Sequence, residues 1–525
     1  MRPLPGRFVA GLLGLILAWG AFERFCRLDG QPLWCDEAWV ALTAADLSYG
    51  QLLTQTDVPL PPLLGVALKV AGHIPASAEL TLRLLPAVCG ILLLPLTYLA
   101  VRALRVPRTI ALGATGLCAS SLLLVTVSRQ AKQYSVEAFF AVLMAWLVLE
   151  FRRRGPSERR RGLFAAIVLV CLLAPWFGYG AVFPLSVLAL IPGVLPGRGP
   201  SCGRRPAATA AALAALAVSF ACLWLIAARG QADHAALVEY ARRWYIEPLS
   251  LHSWLQAAGQ GAVASVCLFL PVEWFFTSTQ ALHALWVLAL AGLIWLLAGL
   301  GLYCWPSSTR HDMAWWLLGS WLALIIAAAL GRYPFGLTRM MAFLAPPTAI
   351  AVTAGIAGLA RAVSRRATGR TALGLVASVW LGAVPAAYML RIPLDYCYIP
   401  YHDFPQLLEI LGRERRPGEW VFVDVTAVAP VRYYAPDMPP PLQFAPVTAG
   451  AVPAAASHDP GLIDQLARRA GWRWWLLTTD GQGWQRHSDL LARIERHGYT
   501  VKLFARADAC GRSRWTAELL VATRR

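Results

Sequence analysis

Residues Phe8–Phe22 read FVAGLLGLILAWGAF, and Leu33–Trp39, a short way beyond them, read LWCDEAW. The first stretch predicts a membrane-spanning helix, which would hold the acidic pair Asp36-Glu37 near a bilayer surface. Adjacent carboxylates in that position repel each other and lose hydration, which favours a functional role for them. The alternative interpretation is structural: Asp36 would be the N-cap of a helix that begins at Glu37.

Composition places the whole chain in the membrane. Of its 525 residues, 58% are hydrophobic and only 14% are charged, and apolar runs of about 20 residues recur along most of its length. The sequence therefore predicts an α-helical polytopic membrane protein. The net charge of +18 raises the alternative of nucleic-acid binding. The arginines, however, cluster in short loops between apolar runs, as membrane orientation requires, so no nucleic-acid partner is expected.

The apolar runs predict about 11 transmembrane helices in a domain covering residues 1–390. The first is read as an uncleaved span with a cytoplasmic N-terminus, because Trp19–Glu23 is a poor signal-peptidase site. A long external loop, residues 25–83, follows it, with surface helices expected at Ala38–Ala45 and Pro62–Gly72. The other spans are predicted at Leu84–Val101, Thr109–Val127, Ser135–Phe151, Gly162–Pro175, Phe177–Leu195, Ala207–Ala228, Ala281–Tyr303, Met313–Gly331, Met340–Ala360 and Thr371–Leu390.

Basic loops alternate along this series and give the orientation. Arg102–Arg108, Arg152–Arg161, Arg198–Arg205 and Arg361–Arg370 all fall on the side of the N-terminus, which the positive-inside rule makes cytoplasmic. The Asp36-Glu37 loop and everything after Arg391 are then on the outer face. We therefore expect a multi-pass protein of the bacterial inner membrane, with its site on the periplasmic or extracellular side.

Residues 391–525 have a different character, because alternating polar sequence replaces the apolar runs. The pattern predicts an extracytoplasmic α/β domain. Strands are expected at Glu419–Val425, Trp472–Leu477, Tyr499–Phe504 and Trp515–Val521, with helices at Leu462–Ala470 and His487–His497. Residues 230–280 are a further external stretch, and whether they add short spans stays open. Whether Cys26 and Cys35, or Cys397 and Cys510, form disulfides also stays open.

Several polar loops on the predicted outer face contain cations, against the positive-inside trend. They are Ser128–Tyr134, Gly331–Arg339 and Arg242–Tyr245. We expect four cations of the first two loops to hold an anionic head group such as a phosphate: Arg129, Lys132, Arg332 and Arg339. For any single arginine, the alternative is snorkelling at a helix end. Asp57 is a third carboxylate candidate in the first external loop.

These segments resemble the motifs of the GT-C membrane glycosyltransferases, in the branch of protein O-mannosyltransferases and lipid A aminoarabinose transferases. LWCDEAW resembles their first-loop Asp-Glu motif, and Asp57 with Pro61-Pro62-Leu63 resembles the acidic element downstream of it. The segment Ser128–Tyr134 is similar to their Ser-x-x-Ala-Arg-x-Tyr loop. Arg332-Tyr333-Pro334 with Arg339 and Ala345-Pro346 is similar to a later Tyr-Pro…Arg…Pro loop. A tail beyond the last span also fits this branch.

The resemblance implies a glycosyltransferase with a polyprenyl-phosphate sugar donor, an outer-face site and inversion at the anomeric carbon. Asp36 would be the general base, with Glu37 in support and Asp57 as a further acidic residue. The donor phosphate would be bound by Arg129, Lys132, Tyr134, Arg332, Tyr333 and Arg339. This chain departs from the pattern at Lys132, where arginine is usual, and in the spacing from Asp57 to the Pro-Pro pair.

Two other functions fit part of the sequence. A carrier or flippase for lipid-linked sugars would explain the helices and external cations, but it leaves Asp36-Glu37 unexplained. Charged residues that line a translocation path should lie within spans, whereas here they concentrate in loops, which favours the enzyme. A catalytically inactive relative that binds glycan is the second alternative. The sugar, the acceptor (protein, lipid A, another glycolipid or a wall polymer) and a requirement for a divalent cation stay open.

Overall fold

A computed structural model of the chain gives the architecture. It describes residues 6–54, 60–154, 157–195, 205–229, 242, 244–269, 280–336, 338–364, 404–416, 419–423, 427–436, 442–444, 473–479, 499–507 and 517–524. Asp57, the predicted span Thr371–Leu390, the two helices predicted at Leu462–Ala470 and His487–His497, and Cys397 and Cys510 lie outside these residues.

The first half of the chain is helical. Its helices are α1 Gly6–Phe25, α2 Cys35–Asp46, α3 Tyr49–Thr54, α4 Pro62–Ala71, α5 Ala78–Ala103, α6 Arg108–Ala119, α7 Leu122–Ser128, α8 Tyr134–Arg153, α9 Glu158–Phe177, α10 Val182–Val194 and α11 Pro206–Leu223. A 3₁₀ turn at Tyr179–Ala181 precedes α10, and a π-helical turn at Trp224–Ala228 extends α11. The longest of these helices are apolar over about 20 residues, the length that a bilayer requires.

The helical region continues with α12 Leu251–Cys267, α13 Gln280–Cys304, α14 Ser307–Ala314, a π-helical turn at Trp315–Gly319, α15 Ser320–Ala329, a 3₁₀ helix at Thr338–Leu344 and α16 Ala345–Ser364. Within the described part of the chain, eight helices are long and apolar enough to cross a membrane, or nine if one bent pair counts as a span. The prediction of a polytopic helical membrane protein is confirmed.

The predicted span Thr109–Val127 is wrong as a single helix, because α6 and α7 meet at a bend of 55°. Ser120 ends α6, and the hydroxyl of Ser121 accepts a hydrogen bond from Leu124 N to start α7. The guanidinium of Arg24 in α1 donates to the carbonyls of Cys118 and Ala119, each at 3.2 Å. A buried side chain thus satisfies carbonyls that lose their helical partners at the break.

The loop predicted to be external, residues 25–83, contains short helices, as expected. The residue that caps α2 is not the one that the structural interpretation of the acidic pair predicts. The N-cap of α2 is Trp34, which makes no side-chain capping bond, and Asp36 lies in the first turn. Interpreting Asp36 as a capping residue is therefore wrong. Its position still suits the helix electrostatically, because the first turn carries a partial positive charge from unpaired backbone N–H groups.

The described residues of the C-terminal segment form a five-stranded mixed sheet. Helix α17 Phe404–Glu414 precedes strand β1 Trp420–Val423, and α18 Val428–Tyr434 leads to β2 Leu442–Phe444, followed by β3 Arg473–Thr479, β4 Tyr499–Ala507 and β5 Ala517–Arg524. The sheet order is β2-β1-β3-β5-β4. Strands β2, β1 and β3 are parallel, while β5 is antiparallel to both β3 and β4. Four strands match the predicted positions; α17, α18 and β2 were not predicted.

This C-terminal segment packs onto the first external loop. Helix α18 contacts α2, and Trp39 of α2 packs against two buried clusters at once. One contains Val421 and Trp475 of the sheet, and the other contains Leu64 of the loop. The acidic pair therefore lies at the end of the helical bundle that the C-terminal segment covers.

Candidate active site

The acidic pair begins a short helix, and its two carboxylates have different surroundings. Asp36 is partly exposed, and Arg339 Nη1 lies 3.1 Å from its Oδ2. The two side chains are 33% and 29% exposed. A partly exposed ion pair gains little over its hydrated ions, so replacing either partner with a ligand would cost little.

Arg339 comes from the 3₁₀ helix Thr338–Leu344, far from Asp36 along the chain. Its guanidinium lies over the ring of Trp34 at 5.2 Å from the centroid, and 5.8 Å from the centroid of Tyr134. These distances suit cation–π attraction, which orients a planar guanidinium. Two predicted donor-binding residues, Tyr134 and Arg339, are thus brought together beside the Asp-Glu motif.

Lys132 is the second cation of this group and lies in the turn between α7 and α8. The side chain is buried. Burial lowers the pKa of the Lys132 ammonium below its usual value, and the positive charge of Arg339 lowers it further, while the negative charge of Asp36 acts in the opposite direction. Lys132 therefore adds a second positive charge beside the Asp36–Arg339 pair.

Glu37 is fully buried and has no open side. Its Oε1 accepts from Arg83 Nε at 2.9 Å and from Ala131 N at 2.7 Å, and its Oε2 accepts from Arg83 Nη2 at 2.7 Å. A bidentate, charge-assisted pair of this kind fixes geometry. Glu37 therefore ties α2 to the start of α5 and to the turn that carries Lys132.

Arg83 is the residue that sequence analysis missed, since it was recognised only as the end of the external loop. Besides Glu37, it donates to the carbonyls of Leu28, Gln31 and Pro32 at 2.8–3.1 Å. All five donors of an arginine suit such a cluster of carbonyls and carboxylates. An arginine at the outer end of a predicted span, against the positive-inside trend, was the available signal.

The other predicted residues lie in different places. Arg129 donates to the carbonyls of Glu23, Cys26 and Arg27, at the C-terminal end of α1. Arg332 is exposed and lies near Tyr245. Burial raises the pKa of the Tyr245 phenol above its usual value, and the positive charge of Arg332 makes this rise smaller. Neither contact involves Asp36. Asp57 lies outside the described residues.

Tyr333 belongs to the loop that leads to Arg339, and its side chain is buried. Its hydroxyl donates to Met340 O at 3.4 Å, and its ring packs edge-on against Phe183 at 4.7 Å. Burial, with the nearby charge of Glu137, raises the pKa of the Tyr333 phenol well above its usual value, so the group stays neutral. Its contacts are typical of a residue that supports the loop.

Glu137, in the first turn of α8, also contacts this region. Its Oε1 accepts from Gly180 N at 2.9 Å. A Cβ at Gly178 would lie 2.2 Å from Glu137 Cγ, and one at Gly180 would lie 2.6 Å from Tyr333 Oη. The two glycines therefore allow the turn before α10 to approach the loop that carries Arg339. Sequence analysis gave no role to Glu137.

A metal site was left open by the sequence. Among the residues described, no three His, Cys, Asp or Glu side chains are grouped closely enough to hold an ion. Cys26 and Cys35, the pair considered for a disulfide, are both thiols in the structure.

Comparison with known proteins agrees with this architecture. Residues 69–191 match the family model described as dolichyl-phosphate-mannose-protein mannosyltransferase. The structure of ArnT from Cupriavidus metallidurans bound to undecaprenyl phosphate aligns with a TM-score of 0.52 at 13% identity, over 98% of both chains. This chain has the GT-C fold. A search of curated proteins finds no sequence that matches it.

The GT-C fold is also that of a second neighbour, the Archaeoglobus fulgidus oligosaccharyltransferase tethered with an acceptor peptide. It aligns with a TM-score of 0.52 at 13% identity, over 90% of this chain and 69% of the other. Identities this low establish the fold, whereas activity must be argued from the site. The match at residues 69–191 includes Lys132, Tyr134 and Glu137, and Asp36 and Arg339 lie outside it.

Proposed function

We propose that this protein is a glycosyltransferase that moves a monosaccharide from a polyprenyl-phosphate donor to an acceptor hydroxyl on the outer face of the membrane. The observation that carries this proposal is the partly exposed carboxylate of Asp36, placed 3.1 Å from Arg339 and near the buried Lys132. A base beside two phosphate-binding cations is what displacement of a phosphate leaving group requires.

In the reaction, Asp36 removes the proton of the acceptor hydroxyl as its oxygen attacks the anomeric carbon. The new bond joins acceptor oxygen and anomeric carbon, and the bond from that carbon to the phosphate oxygen breaks. Polyprenyl phosphate leaves with the electron pair. A single displacement inverts the configuration. Lys132 and Arg339 stabilise the negative charge that develops on the phosphate, because preorganised cations act strongly where water is excluded.

Arg339 has a second role in this proposal. Without donor, its guanidinium pairs with Asp36. The phosphodiester of the donor carries one negative charge, as the carboxylate does, and its two non-bridging oxygens can accept two parallel hydrogen bonds from a guanidinium. A partly exposed ion pair contributes only about 0–1 kcal/mol, so the phosphodiester can replace Asp36 as the partner of Arg339. Donor binding would therefore draw Arg339 away and leave Asp36 available for the acceptor proton.

Glu37 supports the base without touching the substrates, because the bonds of its carboxylate to Arg83 and Ala131 hold the first turn of α2 in place. Tyr134 would complete the phosphate side through its ring beside Arg339. Arg129 and Arg332 are assigned no phosphate contact in this proposal, because Arg129 binds the end of α1 and Arg332 is exposed near Tyr245.

The known ligands of the neighbours support the chemical class of the substrates. ArnT was solved with undecaprenyl phosphate and the oligosaccharyltransferase with an acceptor peptide. A carrier would instead need charged side chains along a path through the spans. Among the described residues, the buried charges in helices all lie within two turns of a helix end: Glu23, Arg24, Glu37, Arg83, Glu137, Glu150, Arg152 and Asp312. This distribution favours the enzyme.

The test is mass spectrometry of envelope glycans, glycolipids and glycoproteins from cells with wild-type protein, with Asp36→Asn and without the protein. We expect Asp36→Asn to lose the same sugar modification as the deletion, because removal of a general base costs about 10²–10⁴ in rate. Asp46→Asn is the matched control, since Asp46 is exposed at the other end of α2. Wild-type levels of modification in Asp36→Asn cells would refute the role of Asp36.

A further inference from the structure

Tyr434, the last residue of α18, connects the C-terminal segment to the first external loop by one hydroxyl. Leu33 N donates to Tyr434 Oη at 2.5 Å, and Tyr434 Oη donates to Glu79 Oε1 at 3.0 Å. Glu79 lies in the first turn of α5. A phenol that accepts one hydrogen bond and donates another joins three chain segments that are distant in sequence.

The segment that Tyr434 holds leads directly into α2. Leu33 is fully buried and is followed by Trp34, the N-cap of α2. On the other side, Arg83 binds the carbonyls of Gln31 and Pro32. Arg83 and Glu79 are one turn apart on α5, so α5 and Tyr434 together fix consecutive peptide groups just before Asp36.

Apolar packing supports the same junction. Ala429, Tyr433 and Tyr434 of α18 pack in one cluster with Leu33 and Leu64 of the first loop. Trp39 extends this cluster to the core of the sheet. A hydrogen bond inside such a cluster is directional, and an unpaired buried N–H is costly, so the hydroxyl of Tyr434 selects one position for the Leu33 peptide.

We infer that the C-terminal α/β segment is a working part of the active site, with Tyr434 as the positioning residue that sets where α2 holds the Asp36 carboxylate relative to Arg339. This inference rests on the proposed function for its catalytic consequence. The positioning itself is independent of any substrate, so it can be measured on the resting protein.

The experiment compares the full-length protein in lipid nanodiscs with Tyr434→Phe, Glu79→Ala and the control Tyr433→Phe. Tyr433 is the neighbouring ring, 4.9 Å from Tyr434 between centroids. Hydrogen–deuterium exchange of peptides spanning Leu33–Ala38 is measured first. Release of polyprenyl phosphate is then measured, with polyprenyl-phosphate mannose and polyprenyl-phosphate aminoarabinose supplied to native membranes.

We expect faster exchange in Tyr434→Phe, a smaller increase in Glu79→Ala and none in Tyr433→Phe. Turnover by Tyr434→Phe should fall by up to about 100-fold, because small misplacements of a reacting group are costly. KM for the donor should change little, since Lys132 and Arg339 are untouched.

Unchanged exchange in Tyr434→Phe would overturn the inference. Faster exchange with unchanged kcat would overturn the positioning role. An increase in donor KM as large as the loss of kcat would show general loosening of the fold and would also overturn it. If wild-type protein uses neither donor, the proposed function is in question, and the exchange measurement still decides whether Tyr434 holds the loop.

Discussion

Asp36 and Arg339 form an ion pair at 3.1 Å, although one belongs to the loop of residues 25–83 and the other to a 3₁₀ helix near the end of the helical region. Glu37, the next residue, makes a fully buried pair with Arg83. The two ion pairs differ in exposure, and therefore in how easily each can be separated. The partly exposed pair can exchange partners at a cost of roughly 0–1 kcal/mol, whereas separating the buried pair would leave a buried charge without its partner.

The buried pair predicts a large stability effect. Glu37→Gln should lower the free energy of unfolding by about 3–5 kcal/mol, because it leaves the Arg83 guanidinium buried without its counter-charge. Denaturant titration in detergent measures this. Asp36→Asn is the matched control, with an expected change of about 1 kcal/mol or less.

A double-mutant cycle identifies the cause. Glu37→Gln combined with Arg83→Met should cost clearly less than the sum of the two single changes, since their interaction is then already lost. Additive effects would show that the two side chains do not depend on each other.

Arg339 and Arg332, two arginines of the same loop, should behave differently. Arg339→Gln should raise the donor KM by about 10-fold or more, because it removes a charge-assisted contact to the phosphate. Arg332→Gln should leave the donor KM within about twofold, since Arg332 is exposed near Tyr245. Equal effects of both substitutions would refute the selection of Arg339 by geometry. Initial rates at varied donor concentration provide the measurement.

The buried Lys132 should make donor binding depend on pH. A lysine is cationic below its pKa, and burial lowers the pKa of Lys132, so its charge is lost at a lower pH than that of an ordinary lysine. Donor affinity should therefore fall as pH rises through this lowered pKa. Lys132→Arg should move the fall to higher pH, because a guanidinium stays charged. Lys69 binds the carbonyl of Ala44, away from Asp36 and Arg339, so Lys69→Arg should leave the pH dependence of donor affinity unchanged. If Lys69→Arg moved the fall in affinity to higher pH as Lys132→Arg does, Lys132 would be excluded as its cause.

Gly178 predicts a packing effect on the loop that carries Arg339. A Cβ there would meet Glu137 Cγ at 2.2 Å, so Gly178→Ala should destabilise the fold by about 1–3 kcal/mol and lower turnover with it. Gly162→Ala is the control, because a Cβ at Gly162 in α9 has nothing within 4 Å. That change should be neutral or stabilising by up to about 1 kcal/mol. Thermal unfolding with a thiol-reactive dye distinguishes the two, and equal melting temperatures would contradict the close approach.

Local sequence was sufficient for eight of the predicted membrane spans and for four of the five strands among the described residues. Apolar runs such as Tyr134–Arg153 leave few alternatives, because unpaired backbone groups are intolerable in a bilayer. The break between α6 and α7 was not predictable in this way. It depends on Arg24 of a different helix, whose guanidinium binds the carbonyls of Cys118 and Ala119. Helix α18 was missed because it has only seven residues, which pack on the sheet and on α2. Helix α17 has an apolar period in Phe404, Leu407, Leu408 and Leu411 that was an available signal.

The sequence by itself determined the class of protein, the acidic pair and the set of cations from which a site could be built. Only the tertiary structure selected among them: it placed Lys132 and Arg339 beside Asp36, and it engaged Arg129 at the end of α1. It also separated the roles of two adjacent carboxylates. Asp36 and Glu37 are neighbours in the sequence, and local sequence does not distinguish them. The exposure and the partners of each carboxylate are set by Arg83, Arg339 and Tyr434, which contact the loop from other parts of the fold.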